Sequence, residues 1–319
     1  MNLFVTGGTG FFGKALLRYW QDNTPKFEKI FFLSRAPGLF LTEYSDLVQD
    51  LPIEFIEGDI LNLSKVNIHH DLDVVLHAAT DSTIGPSLSR LDVYTQITKG
   101  TEEVLQFAAN NSCKKFVLTS SGGVYGAQPS NMEKIPEDYL GMPDPLDPNS
   151  AYGIGKRAAE HLVALYADKY CFDYVIARCF AFVGQDLPLD KHFAIGNFIK
   201  DGLEGNNIEI YGDGTPIRSY MYQEDLAQIL DHMTIKKMPN GAYNVGSEEA
   251  ISLKELAYKI KNDINNEIKI KILGTEDGNI KNKYVPDISK LKLTLGPIKF
   301  RSLDLAIKLT VEKVKLKNV

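Results

Sequence analysis

From residue 1 to residue 178 the chain alternates short apolar runs with segments whose apolar residues recur at helical spacing. The runs predict buried strands at residues 2–6, 29–33, 53–60, 73–79, 115–121 and 174–178. Helical spacing predicts helices at residues 14–20, 91–110 and 158–170. Strands that alternate with helices in this way form a parallel sheet covered on both faces. The pattern therefore predicts an α/β fold with a doubly wound parallel sheet.

Glycines occupy the turn between the first strand and the first helix, at Gly7, Gly10 and Gly13. Without a Cβ, they let the backbone approach a pyrophosphate, whose charge would meet unpaired N–H groups at the helix N-terminus. Because this turn lies within a complete strand–helix–strand unit, it predicts a dinucleotide site. The alternative is an ordinary tight turn.

The second strand ends in Leu33-Ser34-Arg35 and so carries no carboxylate for the ribose hydroxyls of NAD. The hydroxyl of Ser34 and the guanidinium of Arg35 could instead pair with a 2′-phosphate. We therefore predict NADP(H) as the cofactor, in preference to NAD(H). The alternative for Arg35 is a solvated surface side chain.

Two later strands end in residues suited to a nucleotide lying across the carboxyl edge of the sheet. Asp59 follows the third strand, and His77 with two alanines ends the fourth. His77 could also serve only to satisfy backbone groups.

The alternation of strands and helices weakens beyond residue 178. Helices are predicted at residues 193–202, 223–233 and 303–309, short strands at 208–211 and 268–273, and at 242–246 a strand that returns to the main sheet. We predict an NADP-binding Rossmann domain at 1–178 with 219–246. Residues 179–218 and 247–319 would form a smaller α+β substrate-binding domain, leaving a cleft between them.

Composition narrows the classes of partner. The 319 residues are 44% hydrophobic and carry a net charge of −6, which argues against a nucleic-acid-binding or membrane-surface protein. Three scattered cysteines, Cys113, Cys171 and Cys179, have no metal-binding spacing and indicate reduced thiols. A strand that begins at residue 2 is expected to leave no room for a signal peptide. We expect a cytoplasmic protein without a metal site.

Three residues suggest the chemistry. Tyr152 and Lys156 are four residues apart, so on a helix they lie on the same face. An ammonium there would favour the phenolate and lower the tyrosine pKa from its usual value of about 10. Ser121 ends a central strand and could bind a carbonyl or alkoxide oxygen. Such a site moves a proton at an oxygen while a nicotinamide exchanges hydride with its carbon. The alternative is a surface Tyr and a solvated Lys.

With these motifs in order, the sequence resembles the extended short-chain dehydrogenase/reductase family of nucleotide-sugar epimerases, dehydratases and ketoreductases over essentially the whole chain. The similar segments are 6–13, 58–60, 77–79, 120–126, Tyr152 with Lys156, 211–215 with Arg218, 224–227 and 244–246.

The resemblance implies a role for each matching residue. Tyr152 would be the acid/base, Lys156 would lower its pKa and hold the nicotinamide ribose, and Ser121 would bind the reacting oxygen. Residues expected to bind the cofactor are Gly7, Gly10, Phe11, Phe12, Gly13, Ser34, Arg35, Asp59, Ile60, His77, Ala78, Ala79, Thr119, Tyr152 and Lys156. Residues expected to bind a nucleotide-sugar substrate are Ser121, Gly122, Phe182, His192, Asn197, Tyr211 and Arg218, with Arg218 at the diphosphate. Helices 91–110 and 151–170 would form a homodimer contact like that of relatives.

Departures from the family pattern narrow the reaction. Dehydratases of the family carry an Asp-Glu pair after the Ser/Thr, whereas this chain has Gly122-Gly123, and glycine cannot transfer a proton. Ile97 stands in place of a helix Asn that is common in the family. The end of the second strand lacks the acidic residue typical of epimerases, and an NADP-type pocket favours net reduction.

The sequence therefore predicts a 4-ketoreductase of deoxysugar biosynthesis for surface polysaccharide. Its substrate would be a nucleoside-diphosphate 4-keto-6-deoxyhexose, linked to dTDP or, as second choice, to CDP. The segments 178–184, 192–198 and 284–286 resemble such reductases. The alternatives are an NAD-dependent nucleotide-sugar epimerase and a non-catalytic NADP-sensing protein.

Overall fold

The computed structural model describes residues 1–68, 70–80, 88–191, 193–275 and 282–317. Its strands are β1 (Asn2–Thr6), β2 (Lys29–Ser34), β3 (Ile53–Glu57), β4 (Val74–His77), β5 (Lys115–Ser121), β6 (Asp173–Cys179), β7 (Phe182–Val183), β8 (Ile208–Ile210), β9 (Ile217–Ser219), β10 (Met221–Tyr222), β11 (Gly241–Val245), β12 (Ala250–Ser252), β13 (Ile270–Ile272) and β14 (Lys283–Tyr284).

The helices are α1 (Phe11–Asp22), α2 (Pro37–Val48), α3 (Arg90–Asn110), α4 (Ala151–Tyr170), α5 (Ala194–Glu204), α6 (Gln223–Ile235), α7 (Leu253–Ile264), α8 (Ser289–Leu295) and α9 (Leu303–Lys317). Short 3-10 turns lie at Leu63–Lys65, Gly122–Tyr125 and Pro148–Ser150. None of the helices in the described part of the chain is long and apolar enough to span a membrane.

Seven strands form the main sheet, in the order β11-β6-β5-β4-β1-β2-β3, and every neighbouring pair is parallel. The order reverses between β1 and β4, which places the carboxyl ends of these two strands beside an opening at one edge. The predicted Rossmann-type parallel sheet is confirmed, and so is the return of residues 242–246 to it as β11.

Side chains of the strands alternate between two hydrophobic clusters, one on each face of the sheet. Along β1, Leu3 and Val5 join the cluster with α1 and α6, whereas Phe4 joins the cluster with α3 and α4. Both faces are therefore buried, which explains why the strands read as continuous apolar runs.

A third cluster lies beyond the sheet, where α5, α7 and α9 pack around β8. Small sheets accompany it: β12-β9-β14 and β13-β8. Residues of α8 belong instead to a cluster of the main sheet, and α8 packs against β11. The predicted division into two domains, with α8 in the second, stays a prediction.

Several elements differ from the sequence-based prediction. The apolar pattern does not predict α2, because Phe40 is its buried residue and Leu39 is mostly exposed. Helix α9 continues beyond the predicted end at residue 309, to Lys317. The helix expected at residues 151–170 is confirmed as α4, with Tyr152 in its first turn.

A buried ion pair fastens α4 to the sheet. Glu160 of α4 accepts from Arg178 of β6, at 2.7 Å between Oε2 and Nη2, and from the Ser120 hydroxyl at 2.5 Å. Arg178 also donates to the Tyr125 hydroxyl at 2.9 Å, and Tyr125 donates to Asn244 of β11 at 2.8 Å. One connected network thus joins α4, β5, β6 and β11.

We expect Arg178→Met to lower the free energy of unfolding by about 3 kcal/mol, because the Glu160 carboxylate would stay buried without its ionic partner. Urea denaturation followed by circular dichroism measures this change. The matched control is Lys271→Met, which breaks an exposed pair with Glu209 of 2.9 Å and should change stability by less than about 1 kcal/mol. Equal urea midpoints for Arg178→Met and the parent would contradict the expectation.

Candidate active site

A cleft with a volume of 860 Å³ runs along the carboxyl edge of the main sheet. This size is in the range of ligand and cofactor sites. The sequence-predicted residues on its wall are Gly7, Gly10, Phe11, Phe12, Ser34, Arg35, Asp59, Ile60, Ala78, Ala79, Thr119, Ser121, Tyr152, Lys156, Phe182 and Arg218.

The glycine turn after β1 fits a diphosphate. Gly7 has a φ of +77°, and a Cβ there would lie 2.6 Å from the carbonyl carbon of Ala78. Helix α1 begins at Phe11, and no side chain caps it at Gly10. The first N–H groups of a helix lack intrahelical partners and carry partial positive charge, so this end of α1 suits an anion. Gly13 does not line the cleft; its missing Cβ lets α1 pack against Gly8, whose oxygen would lie 1.9 Å away.

The ends of β2 and β3, next to β1 in the sheet, also line the cleft. Ser34 and Arg35 line it beside Asp59 and Ile60. The Ser34 hydroxyl oxygen accepts from the Ala36 N–H at 3.2 Å, and the Asp59 carboxylate accepts from the Leu61 N–H at 2.8 Å. A guanidinium, a hydroxyl and a carboxylate therefore meet where the sequence predicts the adenosine half of a dinucleotide.

Ser121, Tyr152 and Lys156 come together at the centre of the cleft. Ser121 ends β5, and its hydroxyl oxygen accepts from the Gly123 N–H at 3.0 Å. Tyr152 and Lys156 come from α4, and the Lys156 Nζ lies 6.0 Å from the centroid of the Tyr152 ring. The ammonium donates to the Thr80 hydroxyl at 2.7 Å and to the Thr119 carbonyl at 2.9 Å.

Burial governs the protonation of these groups. It raises the pKa of Tyr152 to about 12, while the hydrogen bond with Ser121 acts in the opposite direction. It lowers the pKa of Lys156 to about 8, opposed by Cys179 and Glu160. The expectation that the ammonium lowers the tyrosine pKa is therefore wrong for this arrangement. Desolvation dominates, and the ammonium contacts a hydroxyl and a carbonyl rather than the phenol.

His77 lies inside the sheet and does not line the cleft. Its ring contacts the Thr6 hydroxyl at 2.7 Å through Nδ1 and the Thr101 hydroxyl at 3.2 Å through Nε2. Burial lowers its pKa to about 3, so the imidazole is neutral at physiological pH. This arrangement matches the alternative reading of His77 as a structural residue, with Ala78 and Ala79 as the parts of the motif that reach the cleft.

Only some of the residues predicted to bind the substrate line the cleft. Arg218 lines the cleft and donates to the Ile217 and Asn282 carbonyls, both at 2.9 Å. Phe182 also lines it, but packs edge-on against Phe12 at 5.6 Å, beside the glycine turn. Tyr211 is 82% exposed and, like Asn197 of α5, is not on the cleft wall. His192 lies outside the described residues.

Gly122 leaves room for Tyr284, which belongs to the segment 284–286 noted in the sequence but was given no role at the site. A Cβ at Gly122 would lie 2.7 Å from the hydroxyl of Tyr284, which lines the cleft. Tyr284 pairs with Arg218 across β14 and β9, and a hydrogen bond with Ser121 lowers its pKa against a larger rise caused by burial. No local pattern could reveal this contact, because it joins residues far apart in the chain.

The chain is similar to known proteins over most of its length. Residues 3–246 match the model of the NAD dependent epimerase/dehydratase family. The chain is 28% identical over 296 residues to the low-salt glycan biosynthesis protein Agl12 of Haloferax volcanii, with 92% of each chain covered. It is 29% identical over 301 residues to UDP-glucuronic acid decarboxylase 3 of Arabidopsis thaliana, covering 93% of this chain and 84% of the relative.

Among solved structures, the chain is similar to UDP-glucuronic acid 4-epimerase from Bacillus cereus in complex with UDP-glucuronic acid and NAD. The two share 26% identity and a TM-score of 0.83, over 99% of this chain and 100% of the other.

We expect Gly7→Ala to weaken dinucleotide binding by about tenfold or more, because the side chain would be strained at positive φ and would collide with Ala78. Isothermal titration calorimetry with NADPH and NADH measures the affinity. Gly38→Ala is the control, since a Cβ there meets nothing within 4 Å. Unchanged affinity in Gly7→Ala would argue against the glycine turn as the diphosphate site.

Proposed function

The chain belongs to the NAD dependent epimerase/dehydratase family, and from this premise we propose that it reduces the C4 keto group of a nucleoside-diphosphate 4-keto-6-deoxyhexose with NADPH. The observation that carries the proposal is the meeting of Ser121, Tyr152 and Lys156 in a cleft whose wall, within the described part of the chain, is poor in carboxylates. Asp59, at the end of β3, is the one carboxylate residue on the cleft wall among the described residues.

Among the described residues, the scarcity of acids on the cleft wall limits the reaction. Elimination of water needs a group that removes a proton from carbon and one that protonates the leaving hydroxyl. At the position of the dehydratase Asp-Glu pair this chain has Gly122 and Gly123, and the space at Gly122 is taken by Tyr284. Hydride and proton exchange at C4 needs neither acid, so it is the reaction that these residues support.

The residues of the cleft fit a dinucleotide, which when bound supplies the hydride. The glycine turn and the N-terminus of α1 would hold its diphosphate, and Ser34 with Arg35 would bind a 2′-phosphate. The absence of a carboxylate at the end of β2 supports NADP(H) over NAD(H).

Tyr152 would supply the proton. With a pKa of about 12 it is a neutral phenol at pH 7, which suits an acid that protonates the developing alkoxide at C4. The Ser121 hydroxyl would donate a hydrogen bond to the same oxygen. Lys156 would hold the nicotinamide ribose, as the family resemblance implies.

A nucleotide-sugar 4-epimerase is the second candidate. The observation that favours it is the similarity to the Bacillus cereus 4-epimerase, which is bound to NAD. An epimerase uses the same Tyr and Lys and returns the hydride to the sugar, so it consumes no external cofactor.

A panel of nucleotide-linked sugars tests the proposal. We expect oxidation of NADPH, followed at 340 nm, with dTDP- or CDP-4-keto-6-deoxyglucose, and a kcat/KM for NADPH about tenfold or more above that for NADH. Product analysis by mass spectrometry should show the addition of two hydrogens. Interconversion of UDP-hexoses without net cofactor oxidation would overturn the reductase proposal and favour the epimerase.

We expect Tyr152→Phe to lower kcat by about 10²- to 10⁴-fold, because the general acid is lost. Affinity for NADPH should stay within about threefold of the parent, since the ring still fills its place. Tyr258→Phe, at a half-exposed position on α7, is the control and should leave kcat unchanged. A kcat for Tyr152→Phe within tenfold of the parent would exclude Tyr152 as the proton donor.

A further inference from the structure

The ammonium of Lys156 is held at two points that belong to different strands. It donates to the hydroxyl of Thr80, just beyond β4, at 2.7 Å, and to the carbonyl of Thr119 in β5 at 2.9 Å. Lys156 is only 3% exposed, so these contacts replace most of its hydration.

The Thr80 hydroxyl makes a second hydrogen bond, to Ala79, and this bond fixes the direction of its hydrogen bond with Lys156. A hydroxyl has one hydrogen and two lone pairs. The Thr80 hydrogen is donated to the Ala79 carbonyl at 2.8 Å, so only lone pairs are left to face Lys156. Thr80 is therefore an acceptor, and two of the three ammonium hydrogens are bound to protein oxygens.

No ionised carboxylate contacts Lys156 directly in the described part of the chain. Facing it are Tyr152 and Glu160 from α4, Cys179 from β6 and His77 from β4. Burial keeps Tyr152, Cys179 and His77 neutral at pH 7, because their pKa values are about 12, 12 and 3. The Glu160 carboxylate is bound by Arg178 and Ser120.

Helix α3 packs against α4, and its Gln96 lines the same cleft as Lys156. Ile97 packs there against Gly155, where a Cβ would lie 3.4 Å from its side chain. Among the described residues, the Lys156 ammonium donates to the neutral oxygens of Thr80 and Thr119.

We propose that Thr80 is a positioning residue, whose hydroxyl oxygen holds the Lys156 ammonium in place and keeps its third N–H available to the cleft. The sequence motif gave no role to Thr80, since its polar partner lies 76 positions away. The use of that N–H in the reaction rests on the proposed function, whereas the contact between Thr80 and Lys156 does not.

The pKa of Lys156 is a measure of the contact between Lys156 and Thr80. A hydrogen-bond acceptor favours the protonated amine, so its loss should lower the Lys156 pKa below its present value of about 8. The test uses full-length protein labelled with [ε-13C]lysine, and carbon NMR follows the Lys156 resonance, assigned by its loss in Lys156→Met, as pH rises.

We expect the Lys156 midpoint of Thr80→Val to fall by about one unit, the size of a charge-assisted hydrogen bond, and that of Thr80→Ser to stay at the parent value. The matched control is Thr310→Val, which removes a buried hydroxyl that donates to the Ala306 carbonyl at 2.7 Å in α9. An unchanged midpoint in Thr80→Val would overturn the proposal, and so would an equal shift in Thr310→Val.

A second readout separates this proposal from the function. If the enzyme is a reductase, the alkaline limb of its kcat profile should move to lower pH in Thr80→Val and recover in Thr80→Ser. A shifted NMR midpoint without turnover of any nucleotide sugar would support the role of Thr80 and overturn the proposed function. Turnover of a nucleotide sugar with an unshifted Lys156 NMR midpoint would support the proposed function and overturn the role of Thr80.

Discussion

The candidate site depends on two opposite charges buried one turn apart on α4. Lys156 and Glu160 have little contact with water, and each is satisfied by groups from the strands beneath. Glu160 is bound by Arg178 and Ser120, and Lys156 by Thr80 and Thr119. Leaving either charge without its partners would be strongly unfavourable. The helix is therefore fixed against the ends of β4, β5 and β6, and Tyr152 in its first turn is fixed with it.

The same burial determines which proton-transfer states are accessible. Desolvation opposes ionisation of both Tyr152 and Lys156, so near neutral pH the phenol is protonated and the amine is close to its own pKa. This state suits donation of a proton to a reduced carbonyl oxygen.

The reaction is limited as much by small residues as by reactive ones. Gly122 has no side chain, and Tyr284 from the distant strand β14 fills the space beside Ser121. Among the described residues, Ser121, Tyr152 and Tyr284 thus line the cleft with Lys156, and Asp59 at the end of β3 is the one carboxylate residue on its wall. A decarboxylase and a dehydratase are among the similar proteins, so similarity over the whole chain does not by itself define the reaction.

The sequence by itself determined the features that depend on local pattern. Continuous apolar runs identified the strands of the main sheet, the glycines located the turn before α1, and a four-residue spacing put Tyr152 and Lys156 on one face.

The features that depend on burial and on distant contacts follow only from the tertiary structure. It buried His77 and exposed Tyr211, and it brought Thr80 to Lys156 and Tyr284 to Ser121. It also raised the Tyr152 pKa that the local pattern predicted to fall. Periodicity records which face a residue occupies along its own element, whereas desolvation and hydrogen bonding depend on which other elements pack against that face.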